Sequence, residues 1–273
     1  MRQPVTRTAR RTATGRRPLV LLLPALCALA FLLVPLLGLL WRTPWRGLPD
    51  RLFNAEVGQA LQLSLVCASL ATVLCLVFGV PLAWLLARGD LPGRGVLRAL
   101  VTVPLVLPPV VGGVALLLVL GRRGLIGRYL YEWFGVSLPF TTAGVIVAEA
   151  FVAMPFLVIS VEGALRAADP RFEEAAATLG ASRWLTFRRV TLPSVLPGVV
   201  AGGVLCWARA LGEFGATITF AGNFPGKTTT MPLAVYLALE SDPEDAIVLS
   251  LVLLTVSVAV LVALRERWIR GAV

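Results

Sequence analysis

Residues 163–193 read GALRAADPRFEEAAATLGASRWLTFRRVTLP, a charged stretch between two long apolar runs. Asp169-Pro170 is a helix-start signal, with proline suited to the first turn. Glu173, Glu174 and Ala175 to Ala177 are then acidic or strong helix formers, placed where the positive end of the helix dipole favours carboxylates. Gly180 supplies a stop, as glycine commonly does at a helix C-terminus. Ser182-Arg183-Trp184-Leu185 opens a second short helix with arginines downstream. Leu192-Pro193 is expected to break it and lead into the next apolar run. Most connections are about 4–6 residues, and long ones are usually functional or disordered. This one is long, helical, and carries Phe172, Trp184, Leu185 and Phe187. Apolar side chains on a charged loop point to a docking surface for a partner. The plainer alternative is a connection that only reverses the chain.

Outward from this loop the chain is largely lipid-soluble. It has 273 residues, 58% of them hydrophobic, with mean hydropathy +0.85 and only 15% charged. Soluble proteins are about 45–50% apolar and about 25% charged. A helix needs about 20 apolar residues to cross the hydrocarbon core. Six runs qualify, near 18–40, 57–87, 99–120, 143–161, 195–220 and 246–264. The expectation is an all-α polytopic membrane protein with six transmembrane helices over 18–264. A basic tail at 1–17 and a short tail at 265–273 flank it. The first run follows arginines and contains Ala28-Leu29-Ala30, as a cleaved signal might. Signal cores are about 7–15 residues, however, and cleavage there would leave FLLVPLLGLL as an apolar stub. An uncleaved anchor is expected.

The net charge of +10 resembles that of a nucleic-acid binder. Its distribution argues for topology instead, because the arginines cluster between apolar runs. With the N-terminus inside, 17 Lys and Arg fall on that side, 7 on the other, and Arg209 lies within a span. By the positive-inside rule both termini and the 163–193 loop are cytoplasmic. No nucleic-acid partner is expected.

Several chemistries are disfavoured. There is no histidine, which removes the commonest general base and His-containing zinc sites. Cys27, Cys67, Cys75 and Cys206 all lie in apolar runs, and no pair has C-x-x-C spacing. Neither a metal nor a cofactor is expected. The stretch AGNFPGKTTT, 221–230, ends like a phosphate-binding loop at Gly226-Lys227-Thr228. The first glycine of that motif would fall on Ala221, and the loop lies outside the cell, where there is little ATP to bind. This chain is not an ATPase.

The pattern Glu174-Ala175-Ala176, Gly180, Val190, Leu192-Pro193 resembles the EAA loop of ATP-binding-cassette importer permeases. That family usually has isoleucine where Val190 stands. The resemblance implies a type I importer permease fold with a coupling-helix loop at 163–193. Glu174, Ala175, Ala176, Gly180, Trp184, Val190, Leu192 and Pro193 would then seat in a cleft on a separate ATPase subunit. Closure of the ATPase dimer rocks such permeases between inward-open and outward-open states. Further segments resemble the molybdate branch: 88–94, Leu107-Pro108-Pro109-Val110-Val111-Gly112-Gly113, 210–218, 221–228 and 231–236. Sulfate permeases share the LGE and AGN segments, and tungstate is chemically close to molybdate. The resemblance implies a plasma-membrane permease for molybdate, itself not an enzyme. Its partners would be an ATPase subunit, an extracytoplasmic binding protein, a second copy of itself and membrane lipid.

The residues add to this reading. Pro104, Pro108 and Pro109 interrupt helical bonding in the third span, and Gly112-Gly113 allow close approach. Such irregular backbone is tolerated where protein or a water-filled cavity surrounds it. The segment either lines the pathway or is a kinked, packed helix. Arg209 and Glu213 are four apart on the fifth span and are expected to share a helix face. Intramembrane charges normally face the bundle interior. Arg209 either meets the anion or is neutralised as a structural clamp by Glu213 or by Glu149. The clamp is favoured, because a nearby carboxylate would repel the anion. Asn223, Lys227 and Thr228 either face the external binding protein or form a solvated loop. Two other classes compete. A membrane-embedded enzyme would need a catalytic cluster, but H-E-x-x-H and G-x-S-x-G are absent. An ion-coupled carrier commonly shows an inverted repeat, and none is evident.

Overall fold

The computed structural model describes residues 19–52, 54–89 and 91–270. The basic tail at 1–17, Asp90 of the first arginine loop and residues 271–273 lie outside the described residues. The described residues form thirteen α-helices and no strand. They are α1 (Leu19–Arg42), α2 (Leu48–Leu52), α3 (Ala55–Arg88), α4 (Arg94–Val106), α5 (Pro109–Leu120), α6 (Gly127–Phe134), α7 (Thr142–Ala167), α8 (Arg171–Thr178), α9 (Arg183–Thr186), α10 (Leu192–Leu211), α11 (Gly215–Ala221), α12 (Met231–Ser241) and α13 (Pro243–Arg270). Five helical stretches are long and apolar enough to cross a membrane, and the bent pair α4–α5 makes a sixth.

Helix α1 is a unit by itself, with Pro24 and Pro35 inside it and apolar side chains exposed along its length. The rest of the chain forms the second unit, centred on α3, α7 and α10. Ala71, Cys75 and Ala83 of α3, Ala153, Leu157 and Val161 of α7, and Val199, Cys206 and Ala210 of α10 form its buried core. Small residues dominate because helices in lipid gain little from hydrophobicity and associate by close packing. Gly198 and Gly202 of α10, a G-x-x-x-G pair, lie on Ser160 and Ala164 of α7. A β-carbon at Gly198 would overlap that of Ala164, and one at Gly202 would lie 3.0 Å from Ser160 Cβ. Ser160 Oγ donates to the Gly198 carbonyl at 3.2 Å. Gly198→Leu should therefore separate the two helices, costing about 1–3 kcal/mol or more. The expected result is a lower melting temperature of the detergent-solubilised protein, checked by scanning fluorimetry against wild type.

Two expected spans are not single helices. The third bends by 116° between α4 and α5. Pro108 and Pro109 have no N–H to donate, and a residue preceding proline is pushed from helical to extended backbone. Leu107 adopts ψ 133° accordingly. Pro104, expected to interrupt bonding too, lies inside α4, which runs through it. The fifth run ends as a helix at Leu211 and resumes at Gly215 after an unwound turn at Gly212–Phe214.

Leu192-Pro193, expected to break the chain, does not. Helix continues from Arg183 to Leu211, with a π-helical turn over Phe187–Thr191. The Leu192 N–H bonds back to the Phe187 carbonyl, five residues earlier. Widening the turn makes room where the Pro193 ring would otherwise press on the carbonyl four residues back. Helix α12 is a separate element beyond the six expected spans. It packs Met231 and Ala238 on Ala60, Ala246 and Leu249, and Ser64 Oγ accepts from the Met231 N–H at 2.7 Å.

The contacts sort the loops into two ends. Arg98, Glu162, Arg166, Arg88, Ala168 and Glu173 meet at one end. At the other, Arg51 of α2 pairs with Asp242, Glu244 and Asp245 around the start of α13. The Arg51 guanidinium holds the Asp242 carboxyl below its ordinary value. Thr142 Oγ1, where α7 begins, donates to the Lys227 carbonyl at 2.9 Å.

Candidate functional site

The 163–193 loop folds as a helix, a glycine turn and a second helix. The Asp169 carboxylate accepts from the Arg171 N–H, and Pro170 O takes the N–H groups of Glu173 and Glu174. Gly180 has φ +81°, the left-handed conformation that glycine adopts without a β-carbon clash. Its N–H bonds Ala177 O while the Ala181 N–H bonds Ala176 O, which closes α8. Ser182 Oγ accepts from the Leu185 N–H at 3.3 Å and starts α9.

The loop has two faces. Glu174, Ala175, Gly180 and Trp184 are exposed, together with Phe172 and Leu179. Trp184 remains 68% exposed and Leu179 88% exposed, an apolar surface in an otherwise charged segment. Ala176 and Val190 are half-buried, and Leu192 packs on the core. Phe187 links the faces by stacking on Trp184 and meeting Trp84 of α3 edge-on. Pro193 is exposed and follows directly on the π turn.

The inner face is tied to the bundle by charges that sequence reasoning missed. Glu173 Oε1 lies 3.4 Å from Arg88 Nε and accepts from Thr191 Oγ1 at 3.1 Å. Arg88 Nη2 donates to Ala168 O at 3.1 Å. Glu162, 5% exposed, receives Arg98 from α4 and Arg166 from its own helix. The adjacent acidic pair Glu173-Glu174 is the only trace in the sequence, and nothing in it distinguishes one carboxylate from the other.

Within the membrane part, Arg209 Nη1 meets Glu213 Oε2 at 2.6 Å. The two do not share a helix face as expected, because α10 ends at Leu211. Glu213 instead stands before α11, and its Oε1 accepts from the Ala216 N–H at 2.8 Å. Glu213 is 1% exposed, and its carboxylate answers both the arginine and the open end of a helix. Glu149 of α7 is equally buried, yet it is not the partner of Arg209. Its Oε2 has no hydrogen-bond partner among the described residues. The two helix breaks adjoin: a β-carbon at Gly215 would lie 3.0 Å from Pro109 Cβ. Pro108 ends the α4–α5 bend, while Gly112 is buried against the Phe151 ring.

The loop after α11 is a tight turn. The Thr228 hydroxyl accepts from the Phe224 N–H at 2.8 Å, and Asn223 Oδ1 accepts from Thr229 Oγ1 at 2.6 Å. Lys227 is exposed and Asn223 half-buried, but Thr228 is fully buried. Thr228 therefore shapes the loop from within and does not face outward as expected.

A membrane bundle with two adjoining helix breaks and an exposed helical loop at one end has features of transport permeases, whose binding sites are commonly built at discontinuous helices. Residues 79–271 match the family described as "Binding-protein-dependent transport system inner membrane component". The chain belongs to that family and is an integral inner-membrane protein. It is 49% identical over 247 residues to the "Molybdenum transport system permease protein ModB" of Mycobacterium tuberculosis, covering 90% of this chain and 92% of that one. The Escherichia coli K12 protein of the same name is 44% identical over 77% of this chain and 92% of its own. The "Sulfate transport system permease protein CysT" of Escherichia coli K12 is 38% identical over 89% of this chain and 85% of its own. In fold, the chain is similar to a bacterial ABC transporter involved in the import of the acidic polysaccharide alginate. The TM-score is 0.73 at 20% identity, covering 92% of this chain and 94% of that one.

Proposed function

We propose that this chain is the permease subunit of an ATP-driven importer of molybdate. It works as a homodimer with a separate ATPase at the 163–193 loop and a binding protein on the opposite face. The reading is carried by that loop, whose outer face is apolar and carries the EAA pattern. The relatives named for molybdenum transport supply the substrate, since their identity exceeds that of the sulfate permease. Two copies are required because each chain has one such loop and the family uses two. Both termini are cytoplasmic, in keeping with the 17-to-7 division of cations. A doubly charged oxyanion cannot cross hydrocarbon, so it needs a polar passage that opens to one side at a time. The adjoining breaks at Pro108-Pro109 and Gly212–Phe214 support placing that passage there, since irregular backbone at depth is tolerated where protein or a water-filled cavity surrounds it. Lys227 and Asn223 are the outer-loop residues available to the binding protein.

The complex reconstituted in proteoliposomes with its ATPase and binding protein should take up molybdate only with ATP. Tungstate should compete and sulfate should not. Sulfate uptake in place of molybdate would move the chain to the sulfate branch. Uptake indifferent to ATP would overturn the importer reading.

A further inference from the structure

Glu173 and Glu174 are neighbours on α8 but turn to different surroundings. Successive helical residues are about 100° apart around the axis, so one carboxylate can face outward while the other faces the bundle. Glu174 is exposed. Glu173 is 25% exposed and lies against Arg88 and Thr191. Arg88 is the last residue of α3, and it also donates to the carbonyl of Ala168, which caps α7. Thr191 is buried immediately before α10. Glu173 thus ties the loop helix to the end of α3 and the start of α10, and reaches the end of α7 only through Arg88.

We infer that Glu173 is the positioning residue that passes displacement of α8 to α3, α7 and α10, and so couples the ATPase to the membrane helices. The inference rests on the importer reading above. Helix α8 has only eight residues, and so short a helix is marginal without tertiary support. It joins the bundle through two turns, at Asp169-Pro170 and at Gly180–Ser182. Without the carboxylate tie, a push on its outer face is absorbed by rotation about those turns. With the tie, α8 moves only if the core helix ends move. The competing account is that Glu173 merely complements the helix dipole in the first turn of α8. That role would leave the ratio of transport to ATP hydrolysis untouched.

The experiment compares Glu173→Gln and Glu173→Ala with wild type in the full reconstituted complex, measuring molybdate uptake and ATP hydrolysis together. The expected result is a complex that retains its ATPase and hydrolyses ATP, with uptake per ATP lowered about tenfold in Glu173→Ala. Glu173→Gln keeps an acceptor for Thr191 and should fall between the two. Glu173→Asp, which preserves the charge, should recover much of the ratio. An unchanged ratio in assembled Glu173→Gln complex would overturn the inference alone. So would loss of the ATPase subunit from that complex, which would place Glu173 in the docking face. Wild-type complex showing no ATP-dependent uptake would overturn the importer reading and the inference with it.

Discussion

Replacing Glu174 by arginine should abolish ATP-driven uptake while leaving the permease in the membrane. Arginine forms helix nearly as well as glutamate, so α8 itself survives. A cation in the first turn opposes the helix dipole, but at an exposed position this costs only about 0.3–1 kcal/mol. The main effect falls on the docked complex. Glu174 lies on the exposed face with Ala175, Phe172 and Trp184, which we assign to the ATPase cleft. If the cleft presents a cation to Glu174, reversing that charge puts like charges together, at a cost of several kcal/mol. Uptake is expected to fall by at least about a hundredfold, since each 1.4 kcal/mol is a factor of about ten. The checks are uptake in proteoliposomes, membrane yield, and co-purification of the ATPase. Normal uptake by the variant would remove Glu174 from the coupling surface.

Arg209→Gln should reduce assembly rather than alter substrate choice. Arg209 answers a carboxylate that is 1% exposed. Removing one partner of a buried pair typically costs about 3–5 kcal/mol, because the remaining charge stays buried and unpaired. Glu149 lies buried nearby with an oxygen lacking a hydrogen bond, and it offers Glu213 no compensation. The yield of folded complex from membranes should drop severely. The double variant Arg209→Gln and Glu213→Gln should recover much of it, since glutamine leaves no buried charge and its carbonyl can still accept from the Ala216 N–H. Full yield of the single variant together with altered oxyanion selectivity would sink the clamp and place Arg209 in the pathway.

The 163–193 loop was legible in the sequence because its signals are local. A proline start, an acidic first turn and a stopping glycine act over a few residues, and the structure shows each in place. The break expected at Leu192-Pro193 failed for a reason equally physical. A π turn over Phe187–Thr191 absorbs the proline without ending the helix. At Pro108-Pro109 no such adjustment occurs, and the span bends. Both sites have a proline, so composition alone does not separate the outcomes. The four-residue spacing of Arg209 and Glu213 pairs them on a continuous helix, but α10 ends at Leu211. The actual pairing bridges a helix end, and Glu213 serves α11 as well.

Sequence by itself determined the solvent of this protein, its apolar crossings, the clustering of cations between them, and the presence of one long helical loop. These are sums of transfer free energy and charge along the chain, and they need no knowledge of which helix meets which. Tertiary structure alone decided that the two helix breaks adjoin, that Thr228 turns inward, and that Glu173 rather than Glu174 grips the bundle. Each depends on residues far apart in sequence being brought together, as Glu173 is with Arg88 in an ion pair and with Thr191 in a hydrogen bond. Such contacts follow from the close packing of small side chains between α3, α7 and α10, which fixes where every flanking charge can reach.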